Sequence, residues 1–112
     1  MKTTLLLLTA ALVAVLPAAT AADTFEPNDT LAQAHGPLQN ATPVQSYIND
    51  ATDVDWFYFD AEVGDLSISL TGIPAGTDYD LFLTDEAENI FAFSDNGANQ
   101  DELIGGQVTA AG

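Results

Sequence analysis

Hydrophobic and polar positions divide the chain into three stretches. Residues 5–16, LLLLTAALVAVL, are apolar with no period. Residues 22–43 are polar and interrupted by Pro27, Gly36, Pro37 and Pro43, leaving room for one short helix at TLAQAH. Thr30 would cap that helix, with Gln33 three positions later completing a capping box, and Gly36-Pro37 would end it. After Pro43 short runs of β-formers recur between turn residues, the spacing of an all-β sandwich or barrel. The pattern predicts strands over 44–49, 55–61, 65–72, 79–85, 89–95 and 102–109. In LSISLT, Leu66, Ile68 and Leu70 alternate with Ser67, Ser69 and Thr71, giving one buried and one wet face, as in an antiparallel sheet. WFYF, Trp56 to Phe59, is apolar on both faces and predicts a strand covered on each side.

The first stretch has a second reading. Met1-Lys2 precedes an apolar core too short for a bilayer, which needs roughly 20 residues, and Ala19-Thr20-Ala21 supplies an A-x-A pattern. This predicts a secretory signal peptide over 1–21, with cleavage after Ala21, and hence an extracellular protein with no membrane association after processing. What remains is one small domain, marginal for independent stability.

Charge changes the picture more than size does. The chain has 17 acidic residues and a single basic one, Lys2, so cleavage would leave a domain with no Lys or Arg. No salt bridge could form within it. Such a surface repels nucleic acid and anionic lipid, and self-repulsion destabilises the compact state unless cations bind or salt screens it. Apolar residues make up 47% of the chain, enough for a core. With no cysteine in the sequence, a metal is the remaining device for bracing a small exported fold.

Several blocks in order, EPNDTLAQA (26–34), DVDWFYFDA (53–61), GDLSISLTG (64–72), AGTDYDLFLTD (75–85) and SDNGANQDE (94–102), resemble the bacterial pre-peptidase C-terminal domain family. The resemblance covers most of the chain after residue 21. It implies a small antiparallel β-sandwich of jelly-roll type with a short N-terminal helical leader. It also implies a non-catalytic accessory module of the kind appended to secreted peptidases, or one that holds an extracellular polymer. The family continues with a closing strand where this sequence reaches TAAG, Thr109 to Gly112, so a truncated domain is expected.

Calcium is the chemistry that the residues suit best. Ca²⁺ takes six to eight hard oxygen ligands from carboxylates, amide and backbone carbonyls, and water. EPND offers Glu26, Asn28 and Asp29, while NDATDVD offers Asn49, Asp50, Asp53 and Asp55; neither fits an EF-hand. The resemblance implies that the leader folds back to share calcium with the second segment, through Glu26, Asn28, Asp29, Asp53 and Asp55. Helix capping by Asn28 or Asp29, and solvated loop positions for Asp53 and Asp55, remain the alternatives. SDNGANQDE also looks metal-like, through Asp95, Asn96, Asn99, Asp101 and Glu102, but the Asn96-Gly97 turn signal favours a plain loop.

Enzymatic readings find little to stand on. One histidine, His35, lies at the end of the short helix without a G-x-S-x-G nucleophile, and the acids are too abundant for any pair to signal glycoside hydrolysis. The aromatics are assigned to the core, with Tyr47 and Tyr79 held open as surface contacts. The organisation expected is therefore a signal peptide (1–21), a leader carrying part of a calcium site (22–43) and a β-sandwich (44–112). Its function is that of a calcium-stabilised accessory domain, or alternatively a protein- or polysaccharide-binding module.

Overall fold

A computed structural model describes residues 4–11 and 24–112. Among the described residues six strands carry the fold: β1 (Thr4–Ala11), β2 (Val54–Phe59), β3 (Gly64–Leu70), β4 (Asp78–Thr84), β5 (Ile90–Ser94) and β6 (Glu102–Val108). They form a four-stranded sheet in the order β2-β1-β4-β5 and a two-stranded sheet β3-β6. Every ladder is antiparallel. Both sheets feed one core, with Phe57, Leu81 and Leu83 from the first meeting Ile104 from the second, and Leu66, Ile68 and Leu70 of β3 packed around them. The alternation in LSISLT is what turns those three β3 residues inward.

One strand expectation needs correction. VQSYIN, residues 44–49, forms no strand, because β2 has no side left to pair with it. One side of β2 is taken by β1, and the leader backbone lies along the other. There His35 N donates to Trp56 O (2.9 Å), Tyr58 N to His35 O (2.9 Å) and Leu38 N to Tyr58 O (2.8 Å). Ile48 is nevertheless buried against Ile73 and Tyr79, so the segment contributes apolar packing without a ladder. β1 overlaps the apolar stretch that also reads as a signal-peptide core. Its Leu7 is in register with Trp56 on one side and Phe82 on the other. The cleavage position after Ala21 lies outside the described residues.

The leader helix is shorter than its sequence pattern suggests, a single 3-10 turn over Leu31–Gln33. The Thr30 hydroxyl makes no cap to the backbone; it donates instead to Gln33 Oε1 at 2.9 Å. The leader is held down mainly by packing. Phe25 sits 5.5 Å from Phe57 and 4.3 Å from His35, ring centre to ring centre, and Leu38 packs on the same core. Its close approach to β2 requires a glycine. A Cβ on Gly36 would drive into the Tyr58 carbonyl oxygen and lie 2.9 Å from Tyr58 Cδ1.

Gly36→Ala is accordingly expected to destabilise the protein by about 1–3 kcal/mol, the range for overpacking, because the obstacle is backbone and cannot swing aside; a thermal melt checks this. Removing residues 1–21 takes out the strand shared by β2 and β4 and bares two ladders of backbone N–H and C=O groups. The shortened chain is expected to melt at lower temperature or self-associate, read by circular dichroism and sedimentation.

Candidate metal centre

Two backbone devices create the site. The Trp56 amide donates to the Asn28 carbonyl at 2.8 Å, which fastens EPND beside the start of β2. The loop before β2 is turned by Asp50, whose Oδ1 accepts from the Thr52 amide (2.8 Å) and the Thr52 hydroxyl (2.7 Å). That local turn occupies Asp50 and leaves Asp53 and Asp55 to face the leader.

The result is a group of three carboxylates from two distant segments. Glu26, Asp53 and Asp55 each place an oxygen so that all three lie within 4.8 Å of one another. Asp55 and Asp53 are buried and Glu26 is half-buried. Ser46 Oγ donates to Asp55 Oδ2 and the Asn49 amide to Asp53 Oδ2, both at 2.5 Å. Outside it lies an open cleft of about 430 Å³, lined by Glu26, Asp29, Asn49, Asp50, Thr52 and Asp53.

Asn28 sits at the middle of this group with 0% of its surface exposed. Its side-chain amide has two ways to lie. With nitrogen toward the acids it donates to Asp55 Oδ1 (3.1 Å) and Glu26 Oε2 (3.2 Å). With oxygen toward them, the amide carbonyl would add a further oxygen beside Glu26 and Asp55, an arrangement that a bound cation would favour. The donor set is therefore hard oxygen throughout, with no cysteine in the chain and His35 outside the group.

Of the five ligands expected from sequence, Glu26, Asp53 and Asp55 converge and Asn28 lies against Glu26 and Asp55. Asp29 does not enter the trio; it is exposed at the rim, where its carboxyl shares a hydrogen bond with Asp53. Ser46 was missed, since a lone serine in a stretch patterned as a strand gives no signal. Glu102, in the segment read as a plain turn, is fully buried. Its Oε2 accepts from the Ser94 hydroxyl and from the Asn96 amide (3.0 Å), so it organises that turn from within.

The electrostatics follow from the crowding. Burial, reinforced by the charge of Glu26 and by the hydrogen bond and charge of Asp29, pushes Asp53 up to about 6, against the pull of the Asn49 amide. Tyr79 is raised by burial and by the charges of Asp53 and Asp55. No family model matches the chain, and no solved structure matches its fold.

The pH dependence has a definite sign. Since Asp53 holds its proton in the folded metal-free protein up to about pH 6, above its ordinary 3.8, its contribution to stability is complete below about pH 4. It is lost as pH rises through 6. In chelator, the melting temperature is expected to fall between pH 4 and pH 7, and Asp53→Asn to flatten part of that fall. A variant curve parallel to the native one would contradict this.

Proposed function

We propose that this protein is a secreted, non-catalytic accessory domain whose fold is braced by calcium at Glu26, Asn28, Asp53 and Asp55. The observation that carries this reading is the convergence of three carboxylates in a chain with no Lys or Arg beyond residue 2. Repulsion among them needs a counter-charge, and the sequence supplies none nearby. Calcium suits the site better than zinc or a redox metal, because its ligands are carboxylate and amide oxygens in a cleft open to water.

The arrangement also supports a role for the ion. Glu26 and Asn28 belong to the leader, while Asp53 and Asp55 belong to the loop and first residues of β2, so one cation would tie the leader to the sheet. Metal binding would then be coupled to folding, since the unfolded chain cannot present both segments together. Within this proposal the two sheets form a jelly-roll sandwich of the pre-peptidase C-terminal type, and the domain serves a secreted peptidase by aiding its folding or positioning. Export with cleavage after Ala21 would remove β1, so the processed domain would need another strand between β2 and β4.

A second reading, a module that holds a polymer, gains support from one feature: Phe91 and Phe93 are exposed on β5, against the expectation that the aromatics fill the core.

The calcium reading is tested by melting the full chain with calcium and with chelator. At a hundredfold excess over the dissociation constant, stabilisation of about 2.7 kcal/mol is expected, or roughly 10 °C in melting temperature for a domain of this size. Asp53→Ala with Asp55→Ala should abolish the calcium response and leave the response to general salt. An unchanged native midpoint would remove the calcium claim.

A further inference from the structure

The outer side of β5 carries apolar surface that the fold does not use. Phe91 and Phe93, which alternation sets on one face of the strand, are 64% and 60% exposed, and Ile90, on the other face, is 56% exposed. Phe93 is in register with Phe82 of β4, and the two rings stack at 6.2 Å with an interplanar angle of 28°. Among the described strands β5 is the last of its sheet, paired only with β4.

Acids stand at both ends of this strip. At one end Asp80 precedes Leu81 and Asp95 follows its partner Ser94, and Asp80 is raised by its burial and then by the charges of Asp78, Glu102 and Asp95. At the other, the β4–β5 turn is wound around Asp85, which accepts from the Ala87 and Asn89 amides, and it presents Glu88 at a positive φ of 63°. An aromatic surface bracketed by carboxylates is complementary to side chains that are flat or aliphatic along their length and cationic at the tip.

We propose that the β5 face, Phe82, Phe91 and Phe93 with Asp80, Asp95 and Glu88 around them, is a docking surface for an extended basic segment of a partner polypeptide. Arg or Lys side chains stack on the exposed rings, and their charges reach the flanking acids. Strand β5 is long enough for a segment of about five residues at roughly 3.3 Å each. A second copy of this chain is a poor occupant, since each copy carries a net charge of −16 and no basic residue beyond Lys2. A neutral polysaccharide would use the rings and leave the acids unanswered. This proposal deepens the polymer-holding reading by naming the partner, and it shares no residue with the metal centre.

The test is fluorescence anisotropy of a labelled extended peptide alternating Arg with Thr, titrated with the full chain at about 0.15 M salt, where long-range attraction to the net charge is screened. Saturable binding is expected. Phe91→Ser with Phe93→Ser should weaken it about tenfold or more, in the range of two lost cation–π contacts, with the thermal melt unchanged because both rings are exposed. A peptide with citrulline in place of Arg should not bind. The proposal is overturned if the double variant binds as tightly as the native chain, if the citrulline peptide binds equally well, or if the chain self-associates through these phenylalanines. Repeating the titration in chelator separates the two claims: peptide binding retained without a calcium response would support this surface and count against the metal alone.

Discussion

Glu26, Asp53 and Asp55 repel one another across less than 4.8 Å, with no Lys or Arg beyond residue 2 to offset the repulsion. Much of the surrounding structure can be read as a response to that constraint. Asp53 yields by holding a proton up to about pH 6, and Ser46 and the Asn49 amide each donate to one of the aspartates. Buried Asn28 can turn its amide nitrogen toward the acids, or its oxygen toward a cation. Protonation and amide rotation are the responses available to the protein alone, and a divalent cation, if bound as proposed, would replace both.

The leader is the element most dependent on this balance. It contributes one 3-10 turn, a few apolar contacts through Phe25 and Leu38, and a run of hydrogen bonds along β2 that only Gly36 lets pass. None of these is large beside the core of Phe57, Leu81, Leu83 and Ile104. The charge cluster at Glu26 adds a repulsive contact to this otherwise modest set. Once docked, it occupies the side of β2 that residues 44–49 would otherwise use, so the local electrostatics and the sheet arrangement are connected.

Much of this was legible in the sequence. Period-two alternation located β3, and runs of aromatic and β-branched residues located β2, β4, β5 and β6 to within a few residues. The convergence of EPND with the residues before WFYF was also anticipated, through acidic residue chemistry and a family resemblance. Residues 44–49 misled because pattern reports which residues suit a strand and not whether a neighbouring strand has a side to offer. Phe91 and Phe93 misled for a related reason, since alternation says which residues share a face and not which face is covered. Asp29, placed with the ligands through the EPND segment and the family resemblance, lines the cleft at its rim while its neighbour Asn28 takes the buried position.

The account stands on a cation bound beside the start of β2, and Trp56, the single tryptophan, follows Asp55 directly. Terbium, a hard oxygen-seeking ion that substitutes for calcium, should emit when Trp56 is excited, saturate at one ion per chain and be displaced by calcium. The same titration on Asp53→Ala with Asp55→Ala should give no sensitised emission. Absence of emission from the native chain, or equal emission from the variant, would contradict the central claim.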